Sequence, residues 1–282
     1  MKSQNIIEDA RKIQKKYGTS YYIATLFFPK KIKEDVFILY AFVRTSDEFV
    51  DNPLPGSDPA SELFLWRASW EKAYESGESD NPLLVATAEL FKKYNIPFEL
   101  SIEFIDAMAR DLVTADYDTY ADLRTYTRGS AEVIGIMLTY IMGYTDRAAF
   151  TYAAKLGEAM QLTNFLRDIE EDYRDRGRIY LPKEDMRAYN VTEAMIKGKA
   201  VTPEFIHLMK FKIGRARKLF READLGICML SKNTQFPVRL ASHLYEKILD
   251  KIEGVHYDIF SNRVRSSALE KAWIISKTYV NH

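Results

Sequence analysis

The 282-residue chain is 47% hydrophobic and 28% charged, with 16 Phe, 18 Tyr and 3 Trp, enough apolar surface to order one large globular domain over 1–282 and to exclude disorder along most of it. Forty basic and forty acidic residues cancel, which gives no support to a nucleic-acid partner, and none is expected. A single cysteine, Cys228, excludes an intramolecular disulfide framework, and the start MKSQNIIEDARK has no apolar signal core, so a cytoplasmic setting is expected.

In chain order, proline punctuation and apolar residues at helical spacing predict helices over 3–17, 20–28, 31–51, 59–76, 82–94, 98–115, 119–143, 147–173, 203–228, 235–253 and 264–280. Pro29, Pro59, Pro82, Pro97, Pro182, Pro203 and Pro237 each precede or open such a stretch. No strand survives this reading, so the expected class is all-α. The apolar run from Val133 to Tyr144 is too short to cross a bilayer and reads as a buried helix. The polar stretch 174–202 is expected to be irregular. Cys228 is expected to be a small buried hydrophobe, and His207, His243, His256 and His282 lack metal-ligand spacing.

Two constellations carry possible chemistry. Asp47 and Asp51 lie four apart, about 40° around one helix face, with Arg44 one turn earlier; a hard dication such as Mg²⁺, or Mn²⁺, suits such a pair. Chance alone supplies on the order of six acidic pairs at this spacing, most of them solvated. The second constellation is stronger: Gln161, Asn164, Asp168 and Asp172 keep one face polar for three turns with residues that are poor helix formers. Arg174, Arg176 and Arg178 follow as a possible phosphate clamp, or as ordinary solvated pairs. Gly129, Ser130 and Ala131 form a run of small residues inside an apolar helix, which makes room either for a neighbouring helix or for a long apolar ligand.

The segments YAFVRTSDEFVD at 40–51 and QLTNFLRDIEEDYRDRGRIYLP at 161–182 resemble the two aspartate-rich motifs of the squalene/phytoene synthase family. TRGSAEVIG at 127–135, ARKLFREADLGI at 216–227 and HYDIFSNRV at 256–264 are similar to bacterial phytoene synthases. The resemblance implies an isoprenoid-synthase helical bundle around a central cavity, with the two motifs facing each other. It also implies that Asp47, Asp51, Asp168 and Asp172 bind metal, and that Arg44, Gln161, Asn164, Tyr245 and Arg263 hold diphosphate or shape the site. Many relatives carry a tyrosine near the catalytic centre where this chain has Arg128, so Arg128 is given no catalytic role; whether Tyr126 substitutes is open at this point. Glu48 stands where many relatives have another aspartate.

The implied reaction joins two prenyl diphosphates head to head through a cyclopropylcarbinyl diphosphate. Small Ala24 and Thr25, at positions resembling the tunnel wall, favour two geranylgeranyl diphosphates and phytoene, without NADPH. Bulky Tyr21 and Tyr22 favour the alternative, two farnesyl diphosphates giving squalene or dehydrosqualene. Phe27, Phe165 and Tyr126 are candidate cation-facing aromatics. A noncatalytic scaffold is the third reading, disfavoured because it has no reason to keep two repelling acidic faces. So apolar a product implies peripheral contact with a membrane.

Overall fold

The computed structural model describes residues 2–261 and 264–280; Arg263 and His282 lie outside them. Fourteen α-helices are found among the described residues: α1 (Lys2–Tyr17), α2 (Thr19–Thr25), α3 (Lys30–Asp51), α4 (Pro59–Ser76), α5 (Pro82–Tyr94), α6 (Phe98–Asp111), α7 (Tyr120–Thr127), α8 (Val133–Met142), α9 (Ala149–Arg176), α10 (Lys183–Ala188), α11 (Glu193–Lys197), α12 (Pro203–Asp224), α13 (Lys232–Gly254) and α14 (Ala268–Val280). Only isolated bridges, Asp116 with Ile179 and Tyr144 with Leu230, pair backbones in β fashion.

Local chemistry sets the boundaries. Asp58, Asn81 and Thr202 cap the N-termini of α4, α5 and α12 through their side chains, and a proline follows each at the first helical position. Pro29, Pro97 and Pro182 stand immediately before α3, α6 and α10. Pro237 departs from the expected pattern. It lies inside α13, the sixth residue from Lys232, where its missing N–H forgoes one i→i−4 bond, to the Asn233 carbonyl.

Two further differences bear on the site. The single helix expected over 119–143 is interrupted by a π-helical turn, Arg128–Glu132, between α7 and α8. The stretch 174–202 is not irregular throughout, since it holds α10 and α11. It is also pinned: Ile179, Lys183 and Glu184 donate backbone hydrogen bonds to the carbonyls of Ala115, Tyr117 and Asp118.

An aromatic cluster fills the contact between α3, α4, α5 and α6. Fully buried Trp70 packs on Phe42, Phe91 and Phe98, and its indole N–H donates to Ser101 at 2.8 Å. On the other side of the molecule, small residues let backbones approach. A Cβ on Gly135 would stand 2.5 Å from the Ala153 carbonyl oxygen, and one on Gly157 2.5 Å from that of Ala131, so α9 meets both α8 and the π-helical turn almost backbone to backbone. Gly129 likewise abuts Ala107 and the Glu103 carbonyl on α6. The run of small residues therefore serves helix contact at Gly129, while Ser130 and Ala131 face a cavity.

Candidate active site

A cavity of about 440 Å³ runs between α3, α6, α8, α9 and α13. Each helix contributes a stripe at helical spacing that changes character along its length. On α3 the stripe reads Val36, Leu39, Tyr40, Val43, then Arg44, Asp47 and Asp51. On α9 it reads Ala149, Ala153, Leu156, Met160, then Gln161, Asn164, Asp168 and Asp172. From Ala149 to Asp172 the helix rises about 35 Å. The result is a tunnel with apolar depth and a charged mouth. Ile134, Leu138 and Met142 on α8 and Val238, Ala241 and Tyr245 on α13 close the remaining sides.

Asp47, Asp51, Asp168, Asp172, Arg44, Gln161, Asn164 and Tyr245 thus come to one cavity. Both acidic pairs lie near the C-terminal ends of their helices, where the helix dipole is negative and the field favours cations. Burial, reinforced by Asp51, pushes the Asp47 carboxyl up to about 7 despite Arg44. Burial, reinforced by Asp168, pushes Asp172 up to about 8 despite Arg176.

Every one of the four carboxylates has an arginine. Arg44 binds Asp47 and Glu48. Arg167, on α9 beside the acidic stripe, forks onto both oxygens of Asp168, with its Nε 2.7 Å from Oδ1. Arg176 donates through Nη1 to Asp172 at 2.9 Å and places Nε 3.2 Å from Asp51. Arg178, only 8% exposed, reaches Asp51 at 3.3 Å and Asp111 at 2.8 Å. Gly177, at φ 64°, ends α9 and turns the chain so that Arg178 enters this position. Arg174 pairs outward with Glu170 and Asp175, so the basic run splits into one surface residue and two site residues.

Asp111, Arg167 and Tyr180 were missed from the sequence. Asp111 accepts the Tyr180 hydroxyl proton at 2.8 Å, and burial raises its pKa against the pull of Arg178. A lone acid continuing the apolar stripe Phe104, Met108 on α6 was the available signal. Tyr180 in turn stacks on Phe165, ring centroids 4.2 Å apart, and on Tyr126 at 5.6 Å.

The same wall separates Tyr126 from Arg128. Tyr126 lines the cavity, whereas Arg128 pairs with Glu103 at 3.0 Å and does not line it. Other expectations are corrected here. Phe27 is 44% exposed and packs edge-on against Phe236, outside the cavity. Ala24 is buried among Leu240, Ala241, Leu244 and Ile274, and Thr25 bonds Gln14 and the Tyr21 carbonyl, so neither small residue forms the tunnel wall. Tyr21 does line it, while Tyr22 stacks on Phe37 and bonds Arg11. Cys228 is exposed, because its turn after α12 keeps the thiol at the surface.

Among the described residues no group of three or more His, Cys, Asp or Glu side chains stands in a metal-holding arrangement, each of the four aspartates being engaged by an arginine. The donor set nonetheless suits a hard divalent cation: four carboxylate side chains on two helices, at two negative helix ends, whose crowding with one another a cation would relieve. Orphaned buried polar atoms in the wall, Arg44 Nε, Ser130 Oγ and Asn164 Oδ1, add donors and acceptors for a polar ligand group.

The raised carboxyls predict a pH effect. Their folded pKa values exceed the ordinary 3.8, so between about pH 5 and 8 the folded chain holds protons the unfolded chain has lost. Stability without added divalent cation is therefore expected to fall as pH rises through that window. Melting temperatures of the wild type and of an Asp47→Asn/Asp172→Asn variant across it check this: the double variant should lose most of the slope.

The squalene/phytoene synthase family model matches residues 14–270. The chain is 32% identical over 268 residues to a 15-cis-phytoene synthase of Synechococcus elongatus, covering 91% of this chain and 86% of that protein. It is 34% identical to a chloroplastic phytoene synthase of Daucus carota, over 93% and 68% of the two chains. Among solved structures, a dehydrosqualene synthase in complex with ligand superposes with a TM-score of 0.91 at 27% identity, over 99% and 97% of the chains. Squalene synthase HpnC of Alicyclobacillus acidocaldarius gives 0.82 at 25%, over 90% and 95%. The all-α bundle, the charged mouth and these matches agree: the chain belongs to the squalene/phytoene synthase family of head-to-head prenyltransferases.

Proposed function

We propose that the protein condenses two molecules of geranylgeranyl diphosphate to phytoene through a cyclopropylcarbinyl diphosphate, releasing diphosphate, with a divalent cation and without NADPH. The observation that carries this reading is the tunnel itself. Its charged mouth gives way to an apolar depth in which Ala149, Ala153, Ala223 and Ala241 leave room for long tails. Relatives named phytoene synthase at 32–34% identity support the same choice.

Asp47, Asp51, Asp168 and Asp172 would hold Mg²⁺, which when bound neutralises charge developing on a departing diphosphate. Arg44, Arg167, Arg176 and Arg178, which hold carboxylates in the substrate-free protein, would bind phosphate oxygens with planar forks. Apolar residues of α3, α8 and α13 exclude water from the cationic prenyl fragment, whose capture by water would end the reaction. The stacked Tyr126, Phe165 and Tyr180 offer ring faces that stabilise such a cation without bonding to it. Burial keeps the Tyr126 and Tyr180 hydroxyls protonated, so neither supplies a phenolate that would trap it.

Two farnesyl diphosphates form the second reading, which Tyr21 in the wall and the likeness to a dehydrosqualene synthase structure favour. Mass analysis of hydrocarbon extracted after incubation with Mg²⁺ and each diphosphate, with and without NADPH, separates the two. A C40 hydrocarbon formed without NADPH is the expected result. A C30 hydrocarbon formed only from farnesyl diphosphate would reverse the choice.

The described helices include none long and apolar enough to cross a membrane. We propose that the hydrocarbon product leaves by peripheral contact with a lipid surface.

A further inference from the structure

We propose that Arg176 is a resident counter-cation that ties Asp51 to Asp172 in the substrate-free protein and transfers to diphosphate when a divalent cation loads, so that cation and diphosphate bind jointly. The inference rests on the four aspartates being the cation site.

Arg44, Arg167 and Arg178 each bind carboxylates of one acidic motif only, alone or with a neighbour outside both motifs. Arg176 alone among the described residues is ion-paired to both, through Asp51 at the end of α3 and Asp172 on α9. Its two contacts are unequal. Nη1 makes a hydrogen bond to Asp172 at 2.9 Å, whereas Nε, 3.2 Å from Asp51, makes no hydrogen bond. The Asp51 contact is therefore an undirected attraction, and Asp51 keeps Arg178 when it breaks. Arg176 is also the last residue of α9, followed by the left-handed Gly177, so its side chain leaves from a helix end and not from a packed turn.

A divalent cation on these oxygens would stand within a few ångströms of the guanidinium, and the two positive charges repel. Cation binding alone therefore weakens the Arg176 pairs and leaves a partly buried guanidinium short of an anion, which is unfavourable. Diphosphate removes that penalty by giving the fork a new anion. Each ligand then strengthens the other, and the coupling is reciprocal.

Mn²⁺ binding to the otherwise ligand-free protein by electron paramagnetic resonance, and inorganic pyrophosphate binding in excess Mg²⁺ by calorimetry, test this on the full chain. Arg176→Gln is expected to bind Mn²⁺ alone about fivefold more tightly, the scale of one partly exposed ion pair, and pyrophosphate about tenfold more weakly. Arg176→Lys retains a cation between the motifs and should keep wild-type Mn²⁺ affinity while losing pyrophosphate affinity. Arg174→Gln, which alters only an outward-facing partner, should change neither. A purely structural role weakens both ligands together in Arg176→Gln, and that result, or unchanged Mn²⁺ affinity, overturns the inference. If the wild type binds neither probe, the reading of the four aspartates fails first; if it binds both and the variants match it, the inference alone fails.

Discussion

Asp172→Asn is expected to lower hydrocarbon formation by about a thousandfold, the scale seen when a charge-stabilising group is removed from a reaction centre, while making the protein harder to melt. The two effects have one cause. Burial and the neighbouring Asp168 push the Asp172 carboxyl up to about 8 even though Arg176 pulls the other way, so its ionised form is a net burden on the folded state. An amide of the same shape removes the charge and keeps an oxygen for Arg176. Near pH 8.5 without added divalent cation, the melting temperature should rise by about 2–4 °C, corresponding to about 1 kcal/mol in a chain of this size. Turnover with Mg²⁺ and thermal melting of the same preparation check both halves. Unchanged turnover would remove Asp172 from the site; a fall in melting temperature would show that its pair with Arg176 outweighs the cost of burial.

The acidic faces were legible because a helix repeats its face every three to four residues, and Asp47/Asp51 and Gln161/Asn164/Asp168/Asp172 keep that period without interruption. The partners of those faces were not. Whether an arginine at 174, 176 or 178 reaches the site depends on where α9 ends, and Gly177 sends Arg178 inward while Arg174 stays on the outer surface. Tyr126 and Arg128 illustrate a second limit. A π-helical turn carries extra residues per turn, and nothing in the apolar spacing of 119–143 marks the change from α to π at Arg128–Glu132. Ala24 and Thr25 illustrate a third: being small says nothing about which side of a helix a residue faces, and α2 turns both toward packed neighbours. Asp111 needed a contact between α6 and the segment after α9, pinned by backbone bonds that no sequence period encodes.

Gly157→Leu should have the largest effect on stability. A Cβ at this position would lie 2.5 Å from the Ala131 carbonyl oxygen, 2.9 Å from its carbon and 3.1 Å from Glu132 Cα, all backbone atoms that cannot rotate away. The only relief is to push the π-helical turn away from α9, which moves Ser130 and Ala131 in the cavity wall. Overpacking of this kind costs about 2–4 kcal/mol, or roughly 5–12 °C of melting temperature for a chain of this length. Product formation should fall further than the folded fraction does, because the same displacement reshapes the cavity wall at Ser130 and Ala131. Gly214→Ala is the matched control. Gly214 lies within α12, and its Cβ would meet nothing within 4 Å, so alanine there should stabilise by about 0.5–1 kcal/mol through helix propensity and a less flexible unfolded chain. Melting curves of the two variants separate the explanations. Equal destabilisation would mean that glycine is kept at 157 for conformational freedom, whereas opposite signs would mean that the approach of the π-helical turn to α9 sets both stability and the shape of the cavity wall.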